Sequence, residues 1–345
     1  MLRKLLIRAD SNAKMGTGHI MRCFALAQEW QSKGGKAIFA TTCKNEKLLA
    51  RIQNEGFQIA HLKKTYPSSE DWKMVLEILK GESGIWVVVD GYHFDSAYHL
   101  RFKEEGYPLM VVDDTNHLHH YYADILLNQN IGSENLSYSC EQNSRLLLGT
   151  RYVLLRREFL AWKEWNREIP QVARKVMVTL GGSDPHNVTL KIIQSLCKIK
   201  LSGLQVKVIA GPSHTQISSL HEAVSAARFP IEIVHNAHSM ADVMAWADFA
   251  ISAGGSTCWE LAFMGLPFLV IILAENQKAV AEGLENAGAA VNLGWHDRIT
   301  PAQLLQRLLS LAEDADARAE LSKKSRKLVD GKGNEKVLRE LLTYA

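Results

Sequence analysis

The sequence predicts an α/β protein of two Rossmann-like parallel-sheet domains with a cleft between them, and three observations predict it. Short apolar runs rich in β-branched residues alternate with longer stretches of helical periodicity, the pattern of βαβ units and a parallel sheet. That alternation occurs twice, on either side of a charged, Trp-rich stretch, FLAWKEWNREIP, at residues 159–170. The 345 residues also exceed one ordinary core, since length divided by about 150 gives roughly two domains.

In the first half the strand candidates are residues 5–8, 37–40, 85–90, 109–113 and 125–128. Between the first two, Ile20, Cys23, Phe24, Ala27 and Trp30 recur at helical spacing, and Gly34-Gly35 closes that helix. A fresh strand begins at 175–180, with others near 206–210, 231–234, 249–252 and 268–272, and a final helix covers the 334–344 region. The expected domains are therefore 1–160 and 172–345.

Composition narrows the function class. With 47% hydrophobic and 22% charged residues the chain sits near the average for soluble globular proteins. A formal net charge of +3, with basic residues scattered, gives no electrostatic stripe of the kind a nucleic-acid binder needs. The five cysteines (Cys23, Cys43, Cys140, Cys197, Cys258) are odd in number and form no C-x-x-C pair, which suits reduced thiols in the cytoplasm. The N-terminal apolar run in MLRKLLIRAD is too short for a signal peptide, and no apolar stretch approaches the about 18 residues a membrane span needs. The expectation is a cytoplasmic protein, monomeric or weakly oligomeric, with no cofactor.

In doubly wound sheets ligands sit beyond the carboxyl ends of the strands, so the strand-to-helix loops carry the candidate chemistry. The first loop runs from Arg8-Ala9-Asp10 to Gly16-Thr17-Gly18-His19-Ile20-Met21-Arg22. Gly16 and Gly18 allow a sharp turn and close approach to a ligand, and exposed N–H groups at the helix start favour an anion. A histidine there feels the positive helix end, which favours the neutral imidazole able to take a proton from water. The competing reading is that His19 only caps the helix. Gly-Lys-Ser/Thr is absent and Met21 stands where a third glycine would complete a dinucleotide fingerprint, so neither motif fits.

The second loop, Gly181-Gly182-Ser183-Asp184-Pro185, has a good helix start in Asp184-Pro185, but capping leaves its paired glycines unexplained; close approach to a phosphate or a facing domain would explain them. The third, Gly254-Gly255-Ser256-Thr257, offers hydroxyls and N–H groups suited to a pyrophosphate. Glu260 could accept from ribose hydroxyls, or Thr257-x-x-Glu260 could be a capping box. Gly211 marks a turn after another strand. Asn276 and Gln277 present amides suited to sugar hydroxyls or acetamido groups. Asp90-Gly91-Tyr92-His93 and Asp113-Asp114 end first-domain strands. His117, His119 and His120 lack the carboxylate spacing of a metal site and read as a solvated loop, so no metal is expected.

These runs, with Val88-Val89-Asp90-Gly91-Tyr92 and Glu275-Asn276-Gln277, resemble the PseG/SpsG family over most of the chain. Its characterised members are UDP-2,4-diacetamido-2,4,6-trideoxy-β-L-altropyranose hydrolases of pseudaminic acid biosynthesis, and relatives are associated with spore-coat polysaccharide synthesis. The resemblance implies a GT-B-type fold similar to MurG, metal-independent chemistry, and water and a UDP-sugar as reactants. It implies His19 as catalytic base and Tyr92 as a catalytic-site residue in the N-terminal domain. It matches the family's Asn-Gln pair to Asn276 and Gln277, and these with Asp10, Gly16, Gly18 and Arg22 are the expected sugar contacts. It gives UDP the loop of Gly254, Gly255, Ser256, Thr257 and Glu260, and the loop readings add Gly181, Gly182, Ser183, Asp184 and Gly211 of the same C-terminal domain as expected UDP contacts. The expected reaction is direct displacement at the anomeric carbon with inversion; the alternative is a GT-B glycosyltransferase using the same donor.

Overall fold

The computed structural model describes residues 4–344 except 13–14, 83, 183, 212–213, 215, 236 and 238. The chain forms two α/β units, one of Met1–Arg157 with Gly331–Ala345 and one of Glu158–Asp330. The first unit alternates β1 (Lys4–Ala9), α1 (Gly18–Ser32), β2 (Lys36–Thr41), α2 (Glu46–Asn54), β3 (Gln58–His61), α3 (Ser69–Leu79) and β4 (Trp86–Asp90). It continues with α4 (Ser96–Glu104), β5 (Leu109–Val112), β6 (Ile125–Asn128) and β7 (Arg145–Leu148), before the short α5 (Arg157–Leu160) at the boundary.

The second unit holds β8 (Lys175–Thr179), α6 (Val188–Leu196), β9 (Gln205–Ala210), α7 (Ile217–Ser225), β10 (Ile231–His235), α8 (Met240–Trp246) and β11 (Phe249–Ala253). After these come α9 (Thr257–Phe263), β12 (Phe268–Ile272), α10 (Lys278–Asn286), β13 (Val291–Trp295), α11 (Pro301–Glu313) and α12 (Ala315–Leu328). The last helix, α13 (Gly333–Thr343), returns to the first unit.

Each sheet is parallel throughout, ordered β3-β2-β1-β4-β5-β6-β7 in the first unit and β10-β9-β8-β11-β12-β13 in the second. Helices covering both faces explain why the central strands read as unbroken apolar runs. In β1, Leu5 and Ile7 face a core shared with α1 and α13, while Leu6 faces a second core shared with α3 and α4. Helix starts are fixed by side chains: Asn45, Ser68 and Asp95 accept from Leu48 N, Glu70 N and Tyr98 N at the heads of α2, α3 and α4.

One expected boundary is corrected. The final helix was assigned to the 172–345 domain, but α13 buries Val337, Leu338 and Leu341 in the first unit's core. Asn334 holds it there, donating to Ala25 O and Leu155 O and accepting from Leu155 N. Three strands, β3, β7 and β13, escaped the sequence pattern. All lie at sheet edges, where one neighbour is missing and the apolar run can be short or interrupted, as in QIAH and VNLGW.

Strand order reverses between β1 and β4 in the first sheet and between β8 and β11 in the second. Beyond the carboxyl ends at such a switch point the flanking loops diverge and leave room for a ligand. The loops after β1, β4, β8 and β11 are those that carry the candidate residues. Among the described residues no helix is long and apolar enough to cross a membrane.

Candidate active site

His19 occupies the first turn of α1. The loop before it is tied in place: Gly16, at φ +75°, donates its N–H to Asn12 O at 2.8 Å, and Ser11 Oγ donates to Gly16 O at 2.7 Å. His19 does not cap α1, since Thr17 flanks the helix and makes no side-chain cap bond. Its Nδ1 instead lies 2.6 Å from Oδ1 of Asp90, the last residue of the neighbouring β4, where the register pairs Ala9 with Asp90.

Asp90 is fully buried. Arg22, one turn further along α1, donates Nε to Oδ2 and Nη2 to Oδ1, both at 2.6 Å, and the Cys23 thiol reaches Oδ2 at 3.4 Å. Burial alone would push the Asp90 carboxyl up, but Arg22 and His19 more than offset it and hold it well below the usual range. An ionised carboxylate only accepts, so Nδ1 carries the proton and Nε2 is left with the lone pair. Arg22 Nη2 lies 3.1 Å from Nδ1 because both donate to the same oxygen. Arg22 also donates Nη1 to Asp114 Oδ2 at 2.8 Å. Burial and Asp90 push the Cys23 thiol up, so it stays protonated.

Tyr92 stands edge-on to His19, with ring centroids 4.8 Å apart and planes at 83°. The two residues expected in one site, His19 and Tyr92, are thus in contact, and Asp90 is the partner that orients the His19 imidazole. Asp90 was visible as a charge ending the apolar run WVVVD. Its pairing with His19 depends on β1 lying beside β4, a tertiary fact.

Three sugar-side expectations change. Asp10 is buried and both its oxygens are occupied: Oδ1 accepts from Thr42 N at 2.7 Å and Thr42 Oγ1 at 2.9 Å, and Oδ2 from Arg8 Nη2 at 2.8 Å and Thr65 Oγ1 at 2.7 Å. Burial opposes its charge, but His93 and Arg8 hold the carboxyl far below its usual range. Asp10 therefore secures Arg8, whose guanidinium also binds Asp71 Oδ2, and is not available to a sugar. Arg22 is likewise committed to Asp90 and Asp114. Gly18 is the first residue of α1, so only Gly16 of the pair uses a left-handed backbone.

In the second unit, Gly181 has φ +89°, and a Cβ on Gly211 would stand 2.6 Å from Gly182 Cα. The loops after β8 and β9 therefore touch backbone to backbone, which accounts for glycines there without a phosphate. Asp184 accepts from Val188 N at 3.0 Å and Thr189 N at 2.7 Å, so its own carboxylate fills the anion position at the head of α6. That argues against Asp184 as a phosphate ligand. The helix also begins at Val188, later than Asp184-Pro185 suggested. Ser183 lies outside the described residues.

The third loop keeps its chemistry open. Ser256, not Thr257, flanks α9 and makes no side-chain cap bond, so the expected capping box is not formed. Glu260 sits half-buried in the first turn of that helix. A Cβ on Gly255 would meet nothing within 4 Å, whereas one on Gly254 would stand 2.9 Å from Gln277 O. The loops after β11 and β12 thus abut, bringing Gly254, Gly255, Ser256 and Thr257 beside Asn276 and Gln277. Gln277 uses its Oε1 to accept from Leu273 N at 3.0 Å.

The histidine run of the first unit is divided among carboxylates. His117 Nδ1 lies 2.7 Å from Asp113 Oδ2, and His120 Nε2 lies 2.9 Å from Glu141 Oε1. Among the described residues no three histidine, cysteine or carboxylate side chains are grouped as metal ligands.

The two parallel sheets define a class: the chain has the α/β fold of GT-B glycosyltransferases. Acinetobacter baumannii MurG matches 99% of both chains with a TM-score of 0.68 at 15% identity. Residues 176–337 match the glycosyltransferase family 28 C-terminal domain. In sequence, the chain is similar to the spore coat polysaccharide biosynthesis protein SpsG of Bacillus subtilis, 24% identical over 95% of this chain and 94% of that one. It is also similar to the UDP-2,4-diacetamido-2,4,6-trideoxy-β-L-altropyranose hydrolase of Campylobacter jejuni, 25% identical over 84% of this chain and 98% of that one. An uncharacterized protein of Methanocaldococcus jannaschii is 28% identical over 80% of this chain, which spans 57% of that relative's length. The resemblance to the PseG/SpsG relatives read from the loop motifs is thus found along most of the chain.

Proposed function

We propose that this protein hydrolyses a UDP-linked 2,4-diacetamido-2,4,6-trideoxy sugar to UDP and the free sugar, with His19 as general base. The observation that carries the reading is His19 itself, its Nδ1 bound to a buried, ionised Asp90 so that Nε2 is the basic atom. The relative of Campylobacter jejuni supplies the substrate class. In this reaction His19 takes a proton from water, the water attacks the anomeric carbon, and UDP departs with the bonding pair. Glycine-loop N–H groups around Gly254–Thr257 stabilise the diphosphate charge, and Glu260 accepts from the ribose. Tyr92 borders the reacting centre. Gly181, Gly182 and Gly211 shape the nucleotide loops, while Asn276 and Gln277 border the sugar. UDP is a good enough leaving group that no second carboxylate is needed, unlike an ordinary glycosidase. The functional division follows: the first unit carries the catalytic histidine and the second the UDP loops.

A second reading has its own support. The family 28 match over residues 176–337 favours a glycosyltransferase that delivers the sugar to a carbohydrate acceptor. Incubation with a panel of UDP-diacetamido sugars, with and without acceptors, separates the two. The hydrolase releases UDP and free sugar in buffer alone; UDP release that requires an acceptor would establish the transferase instead.

A further inference from the structure

Tyr92 stands beside a second histidine. The His117 ring lies 6.0 Å from the Tyr92 ring, again edge-on at 83°, and also hydrogen-bonds to the main-chain carbonyl of Tyr92. Its Nδ1 is bound to Asp113 Oδ2. Asp113 is itself immobilised, since Oδ2 accepts from Tyr121 Oη at 2.8 Å and Oδ1 from the N–H groups of Thr115 at 2.8 Å and Asn116 at 2.6 Å. The contacts close a ring: His19 to Asp90, Asp90 to Arg22, Arg22 to Asp114, its neighbour Asp113 to His117, His117 to Tyr92, and Tyr92 back to His19.

We propose that His117 is a positioning residue for the reaction at His19: as an imidazolium it clamps the Tyr92 main chain to Asp113 and so holds the Tyr92 ring against the base. This rests on the hydrolase reading for its kinetic consequence, though not for its geometry. Thr115 Oγ1 also lies 3.2 Å from His117 Nδ1; the carboxylate and the carbonyl only accept, and an imidazolium can donate to both where a neutral imidazole has one N–H. The groups facing His117 favour its charge. Burial opposes the charge of Asp113, but its hydrogen bonds hold the carboxyl below its usual range, Asp114 also favours a charged ring, and burial pushes the Tyr121 phenol up. His99 of α4, beside it in a cavity of about 10 Å³, is pushed by burial down to about 4 and is uncharged at neutral pH. Asp113 accordingly raises the titration of His117 above its ordinary value. The clamp is complete below that raised value and opens as pH rises through it.

Two variants test this. In the free protein, proton NMR should show His117 titrating above the ordinary histidine value of about 6.5, and His117→Ala should lose the Tyr92–His19 ring contact. Wild-type kcat should fall at acid pH, where a general base is lost, and again at alkaline pH. His117→Gln keeps an amide donor but cannot titrate, so it should lose the alkaline fall, keep the acid fall, and lower kcat about tenfold with little change in KM. A His117 that titrates at its ordinary value, a Tyr92–His19 contact that survives His117→Ala, or an alkaline fall that survives His117→Gln would each overturn the proposal. A wild type that releases no UDP from any UDP-sugar overturns the hydrolase reading alone, because the NMR contact uses no substrate.

Discussion

Asp90→Asn is expected to lower turnover on the order of 10³–10⁴-fold while leaving UDP affinity nearly unchanged. An amide can donate as well as accept, so the imidazole is no longer compelled to keep its proton on Nδ1, and Nε2 loses its role as base. The substitution also strips Arg22 of a buried partner. Removing one member of such a pair costs about 3 kcal/mol or more, here at the low end because Asp114 still holds Arg22. The pH dependence has a definite sign. Asp90 titrates lower folded than unfolded, so its stabilisation is full above the ordinary carboxylate range and is lost as pH falls towards its depressed value. Thermal unfolding of wild type and Asp90→Asn from neutral to acid pH measures this, and the variant should show the shallower acid loss. Equal turnover in the two proteins would detach Asp90 from the chemistry.

His19→Ala should match that kinetic loss without the instability. Removing a general base costs roughly 10²–10⁴-fold in rate. Asp90 keeps both Arg22 contacts in this variant, so no buried charge is stranded. A double variant should be little slower than either single one, because the two side chains act as a unit. Near-normal turnover of His19→Ala, followed by UDP release at saturating substrate, would remove His19 from the mechanism.

Much of this was legible in the sequence for a plain reason: central parallel strands are buried on both faces and read as apolar blocks, so among the described residues the nine central strands show in the sequence, with the edge strand β10 beside them. Edge strands such as β3 and β7 do not, because half their environment is missing. The glycine-rich head of α1 announced His19. Asp90 gained His19, and His117 gained Tyr92, only when β1, β4 and β5 lay side by side, a neighbourhood that local patterning cannot encode. The same limit explains the misreadings. Asp10 and Arg22 stand in a loop and a helix rich in candidate ligands, yet each is consumed by partners distant in sequence, Asp10 by Thr42 and Thr65 and Arg22 by Asp90 and Asp114. Asp184 looked available to a phosphate because its bonds to Val188 and Thr189 depend on a left-handed Asn187.

The central claim is that His19 directs water at the anomeric carbon and not at phosphorus. Attack at carbon from the face opposite UDP inverts the anomeric centre. A covalent sugar intermediate would retain configuration and require a carboxylate nucleophile. Attack at phosphorus would break the other side of the bridging oxygen. Reaction in ¹⁸O-water, with mass spectrometry of both products and early NMR of the anomeric proton, reads all three. The expected result is label on the inverted sugar and none on UDP; label in the nucleotide would contradict the mechanism even if His19 proved essential.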